Sequence, residues 1–135
     1  MVTTVQLHLR QFSGAYAVAR LDAAAPLPLW ADGPGFVSIG RTDDELSIVC
    51  LAERVPADIR RDDGWVCFKV QGPFDFAETG IALAIIKPLA EAGIGIFLVS
   101  TFDTDYLLVK AANLEQAHSA LLAAGHRLDK PTLRA

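Results

Sequence analysis

Between Trp65 and Asp129 the apolar residues change period four times, and that succession limits the fold more than anything else in the chain. Trp65 to Gln71 is apolar on both faces, as a central strand requires. Ile81, Ile85 and Leu89 then recur in four-residue steps, the buried stripe of a helix that Gly93 closes. Ile94 to Thr101 and Tyr106 to Lys110 read as a hairpin around Phe102-Asp-Thr-Asp105. Asn113 with Gln116 caps a second helix that ends before Gly125, and His126 to Asp129 forms a short last strand at the sheet edge. Strand, helix, strand, strand, helix, strand is the order of the split β-α-β, or ferredoxin-like, topology.

The first half of the chain carries strands without helices. Val5, Leu7 and Leu9 alternate with Gln6, His8 and Arg10 as in a half-buried strand, and the short loop Gln11 to Ala15 suggests a hairpin with Tyr16 to Leu21. Ala23 to Gly35 concentrates proline and glycine around Trp30, which predicts a surface connection with at most one helical turn. Phe36 to Arg41 and Leu46 to Leu51 are two further strands, joined by the carboxylate-rich turn Thr42-Asp-Asp-Glu45. Val55 to Gly64 has few apolar residues and mixed charge, which places a boundary between residues 1–62 and residues 63–135.

Within the second part, Asp75 offers a helix N-cap with Glu78 three residues on, a variant of the capping box. Pro88 falls inside the helical stripe and predicts one kinked helix rather than two. Cys50 and Cys67 lie in strand-like runs with no Cys or His at metal-ligand spacing, so they read as buried free thiols and no metal site is expected.

Composition narrows the function. Hydrophobic residues make up 52% and charged residues 21% of 135 residues, so little polar side chain remains to cover a monomer. An interface between modules or subunits follows. A net charge of −4, with acidic and basic residues interspersed, lacks the basic footprint of a nucleic-acid partner. No apolar run reaches membrane-spanning length and Met1-Val-Thr-Thr-Val-Gln has no signal-peptide pattern, which reads as a cytoplasmic protein with no membrane partner.

Catalysis finds no motif. His8, His118 and His126 have no nucleophile or carboxylate at triad spacing and read as ordinary surface or edge histidines. Gly93-Ile-Gly95 is a bare G-x-G at a helix-to-strand turn, where a glycine serves as a C-cap anyway. Neither an enzyme nor a cofactor is indicated. Binding has a better footing, because Gly72 to Gly80 leads a strand into a helix N-terminus, where unpaired amides attract an anion such as an α-carboxylate. Gly80 would let a ligand approach the amides of Gly80 and Ile81, or it would relieve crowding against the sheet. Glu78 and Asp105 are the acidic candidates for a buried ammonium, each with a competing structural role as capping-box member or turn stabiliser.

Gly72-Pro-Phe-Asp-Phe-Ala-Glu-Thr-Gly80, Pro88-Leu-Ala-Glu-Ala-Gly-Ile94 and Ser100-Thr-Phe-Asp-Thr-Asp-Tyr-Leu-Leu-Val109 together resemble an ACT domain, a small-molecule sensing module that commonly binds amino acids. Residues 33–56 look like the first half of small, largely uncharacterised bacterial ACT proteins, and the C-terminal hairpin with its preceding helix resembles the aspartokinase-type modules of the CASTOR arginine sensors. That resemblance implies ligand contacts from Glu78 and Asp105, with backbone groups of Thr101 and Phe102 alongside. Such sensors hold the ligand between two modules, a pairing that does not carry over to residues of the first part; Trp30 and Ser47 are further lining candidates by position and chemistry only.

The expected architecture is α+β: two ACT-like (ferredoxin-like βαββαβ) modules with antiparallel sheets and helices on one face, the N-terminal module irregular and β-rich. The expected function is a non-enzymatic sensor or regulatory protein that binds a free amino acid through Glu78, Gly80, Ile81, Thr101, Phe102 and Asp105. It would be a homodimer acting on a target enzyme, and the alternative is an interaction or dimerisation module without a ligand.

Overall fold

The computed structural model describes residues 5–71 and 80–132. Its centre is a long strand, β5 (Arg61–Val70), with Cys67, Phe68 and Val70 fully buried. One edge of β5 pairs antiparallel with β7 (Asp105–Lys110), and β6 (Ile96–Ser100) pairs outside β7. Along its other edge β5 meets two partners in succession. Its first half pairs with β2 (Tyr16–Leu21), Arg61 opposite Ala19, and its second half pairs with β1 (His8–Phe12), Val70 opposite Leu9. Beyond β2 lie β4 (Leu46–Leu51) and then β3 (Ser38–Arg41), all antiparallel. Beyond β1 lies β8 (Arg127–Thr132), the one parallel pairing among the described residues. The eight strands form one sheet.

Two helices, α1 (Ile81–Glu91) and α2 (Leu114–Ala123), make the crossovers β5-α1-β6 and β7-α2-β8. Their buried residues Ile85, Leu89, Ala117 and Leu121 pack with Leu7, Leu9, Phe68, Val70, Leu107 and Val109, so both helices cover the same face of the sheet. The fold is therefore α+β with the split β-α-β order expected. Pro88 lies within a single α1. A helix-interior proline costs roughly 3 kcal/mol, and burying Ile85 and Leu89 returns about 1.5 to 3 kcal/mol each, so the stripe outweighs the proline.

On the opposite face Phe12, Tyr16, Phe36, Val49, Trp65, Cys67 and Leu108 form a second cluster. Phe36 stacks on Tyr106 with ring centres 4.2 Å apart. A third cluster, with Ala17, Leu46, Ile48, Cys50 and Val55 buried, belongs to the first part of the chain. Both cysteines are free and fully buried, and burial pushes both thiols up from the ordinary range, against Arg54, which lowers Cys50.

Several local expectations are corrected. β1 and β2 do not form a hairpin; both lie along β5, because Leu9 finds its apolar partners under the helices and Tyr16 finds its own on the other face. β5 begins at Arg61, inside the polar stretch read as a boundary, since the backbones of Arg61 and Asp62 pair with Ala19 and Val18 while the Asp62 and Asp63 side chains stay exposed. The sheet is not wholly antiparallel, because β1 occupies the place beside β5 and β8 pairs with β1 instead. The turn after β3 is held by the Thr42 hydroxyl, which accepts the amides of Asp44 and Glu45 at 3.1 Å each, and not by the carboxylates.

Candidate functional site

β5 and β6 run in the same direction with β7 between them, so the end of β5, the β6–β7 turn and the start of α1 gather at one end of the sheet. The turn is built by Thr101 and Thr104. The Thr101 amide donates to the Thr104 carbonyl at 2.8 Å, and the Thr101 hydroxyl donates to the same oxygen at 3.0 Å. Thr104, only 6% exposed, turns its hydroxyl inward to donate to the Val70 carbonyl at 2.6 Å. This bond ties the hairpin tip to β5 at the point where the chain leaves for α1.

The predicted residues fall around that bond. Asp105 is half-buried at the base of the turn and accepts a hydrogen bond from the Ser100 hydroxyl. Thr101 is exposed, and Phe102 projects at the tip, 79% exposed. Ile81, the first residue of α1, is half-buried and packs on the helix-side core. Glu78 lies outside the described residues, as does Asp75. The topology thus brings Gly80, Ile81, Thr101, Phe102 and Asp105 to one end of the molecule.

Gly80 is the N-cap of α1, with φ +84° and its carbonyl accepting the Ala84 amide at 2.9 Å. A Cβ there would meet Val5 at an ordinary 3.8 Å, so crowding does not call for glycine. The left-handed backbone does. The capping box expected from Asp75 and Glu78 lies outside the described residues. Among the described residues no side chain caps the α1 N-terminus, where first-turn amides and the helix dipole favour an anion.

Trp30 and Ser47 sit elsewhere. Trp30 packs on the core of the first part of the chain, and Ser47 is a β4 residue between Arg20 and Gly40. His126, read from sequence as an ordinary surface or edge histidine, is 3% exposed and bonded at both ring nitrogens, to the Leu7 amide at 3.0 Å and the Ala84 carbonyl at 2.8 Å. The signal for it was Pro88, four residues after a carbonyl that then lacks its helical donor. His118 bonds Gln11 at 3.1 Å and meets the edge of Phe68. Among the described residues no group of three or more His, Cys, Asp or Glu could hold a metal, and no helix is long and apolar enough to cross a membrane.

Comparison with known proteins finds two family models that match this chain. A model of the ACT domain matches residues 60–123, and a model described as an N-terminal domain matches residues 14–58. A crystal structure of a protein from Agobacterium tumefaciens is 56% identical, with a TM-score of 0.90 over 95% of this chain and 96% of that one. A Vibrio cholerae protein of unknown function, described as a possible transport protein, is 20% identical with a TM-score of 0.72 over 88% of this chain and 90% of that one. The regulatory subunit of aspartate kinase from Thermus flavus shares the fold at 12% identity, TM-score 0.56, over 90% of this chain and 98% of that one. No curated protein matches.

Proposed function

The chain belongs to the ACT-domain family, and from that membership we propose that it is a non-enzymatic regulatory or sensor protein whose ligand is a free amino acid. The ligand binds where α1 begins, with its α-carboxylate on the amides of Gly80 and Ile81 and its ammonium facing Asp105 and Glu78. Backbone groups of Thr101 and Phe102 complete the contacts. The observation that carries this reading is the Thr104–Val70 bond, which holds the Asp105 hairpin beside the strand that leads to the α1 N-terminus. An anion-favouring helix end next to a carboxylate matches the two charges of a zwitterion. The regulatory subunit of aspartate kinase, whose fold this chain shares, lends the family role.

We assign residues 1–62 and 63–135 to two modules, the first sharing in the pocket across a module or subunit interface. The working form is a homodimer that acts on a target enzyme in the cytoplasm, a setting in keeping with two free thiols. Exposed Leu29 (96%), Phe102 (79%) and Leu83 (59%) supply apolar surface for such contacts.

A thermal-shift screen against the twenty amino acids tests the reading. A ligand at about 100 times its Kd adds about 2.7 kcal/mol, a shift of several degrees for a domain this size. Asp105→Ala should then weaken binding by about 2 to 5 kcal/mol, roughly thirtyfold to several thousandfold, while stability falls by about 1 kcal/mol or less. Silence across the screen favours the interaction module without a ligand, and light scattering giving only the 14.5 kDa monomer would remove the dimer.

A further inference from the structure

The sheet face away from the helices holds an arrangement that neither folding nor the amino-acid site explains. Arg10 of β1 and Lys69 of β5 are direct cross-strand partners, so two cations stand side by side. Like charges in that relation destabilise a sheet unless something neutralises them. Among the described residues neither has an ion pair. The Arg10 guanidinium lies 5.6 Å from the Phe12 ring centre, with its buried Nε unpartnered. Asp129 lies opposite Arg10 on β8, but its Oδ2 is 2.7 Å from His8 Nε2.

These two cations line a cleft of about 560 Å³ together with Phe12, Asp32, Phe36 and Tyr106, and Thr101 stands at its rim. Its far wall is a built one. Arg54 donates to the carbonyls of Trp30, Ala31 and Pro34, and the Phe36 amide donates to the buried Tyr16 hydroxyl at 3.1 Å. Gly35 has φ +88°, and a Cβ there would stand 2.6 Å from that hydroxyl, so the strap closes against Tyr16 only with glycine. Positioned walls of this kind spare a ligand the cost of ordering them.

We infer that this cleft is a second binding site, for a small organic monocarboxylate with a planar or branched apolar body. The carboxylate sits between Arg10 and Lys69, and the body lies against the rings of Phe12, Phe36 and Tyr106. Two lining cations against the Asp32 carboxylate leave one positive charge, which suits one carboxylate and disfavours phosphate dianions or dicarboxylates. Asp32 at the exposed rim would receive a hydrogen-bond donor of the ligand. Thr101 is shared with the proposed amino-acid site; Asp105, next to Tyr106 on a strand, points to the other face.

Titration with benzoate, phenylacetate and phenylpyruvate, followed by NMR of the Tyr106 and Phe12 rings and the Arg10 Nε–H, tests this. Saturable shifts are expected with at least one of the three, and inorganic phosphate should bind less tightly. Arg10→Met and Lys69→Met keep the apolar stems and should each weaken binding at least tenfold, while relief of the cationic pair holds or raises the melting temperature. Asp105→Ala should leave this binding unchanged, which separates it from the amino-acid site. Silence with all three carboxylates, tighter binding of phosphate, or undiminished affinity in both methionine variants would overturn the assignment.

Discussion

At the scale of single residues the chain is governed by groups that must be satisfied once they are buried. Pro88 has no N–H, so the Ala84 carbonyl one turn earlier has no helical donor, and His126 Nε2 takes that place at 2.8 Å. Since Nδ1 accepts the Leu7 amide at 3.0 Å, the ring is held as the Nε2–H tautomer. One side chain therefore closes a defect in α1 and ties it to the lead into β1. His126→Ala should cost about 2 to 4 kcal/mol, because it strands a buried carbonyl and a buried amide. In a Pro88→Ala background the helix supplies its own donor to Ala84, so the same substitution should cost about 1 kcal/mol less or lower still. Urea denaturation of the four proteins measures the coupling, and additivity within about 0.3 kcal/mol would refute the link.

At the scale of elements the β6–β7 hairpin is the piece whose position matters for binding. β6 is an edge strand with Ile96 to Val99 only half-buried, so its tip depends on local anchors. Thr104 supplies one through its bond to the Val70 carbonyl. Thr104→Val keeps the shape and removes the donor, leaving that carbonyl unsatisfied at a cost of about 1 to 3 kcal/mol. Hydrogen exchange should show the Thr101 amide losing protection by more than amides such as Leu107 or Val109 in the middle of β7. A uniform loss along the strand would mean that the bond stabilises the whole sheet and does not place the tip. The strap over the opposite face is held in a similar way by Arg54, whose three carbonyl acceptors come from the proline- and glycine-rich stretch that has few internal bonds of its own.

At the scale of the whole molecule the chain crosses itself. β1 comes from the first part of the sequence, yet it lies between β5 and β8, with Leu9 fully buried under the helices. Among the described residues β8 pairs with β1 alone. The two modules proposed for function are therefore joined in folding, and a fragment of residues 63–135 should lack a stable β8 and expose the core beneath α2. We expect its circular dichroism to show a broad, weakly cooperative melt. Adding a peptide of residues 1–14 should restore a sharper transition by supplying the missing strand, and a fragment that melts cooperatively by itself would show that β1 is dispensable.

Much of the architecture was legible in the order of residues because periodicity is a local property. Ile81, Ile85 and Leu89 mark a helix face whatever packs on it, and the two-faced run from Trp65 marks a central strand, so the split β-α-β order followed from spacing, while the ACT resemblance rested on the residues of 72–80, 88–94 and 100–109. The burial of Cys50 and Cys67 followed in the same way. Which strands become neighbours is not local. The loop between β1 and β2 has the length of a hairpin turn, and only competition for β5 over two faces sends the strands to separate places along it. The candidate site divides along the same line. Asp105 and the glycine before α1 could be picked out as types and Thr101 came only with the family resemblance, whereas the left-handed φ of Gly80, the Thr104 anchor and the partners of His126 depend on atoms far apart in sequence. The sequence by itself determined where strands and helices form, because hydrophobic spacing selects a local period. The tertiary structure alone decided that Arg10 and Lys69 stand together and that His126 reaches Pro88's orphaned carbonyl, because long-range pairing is set by which apolar faces can be buried at once.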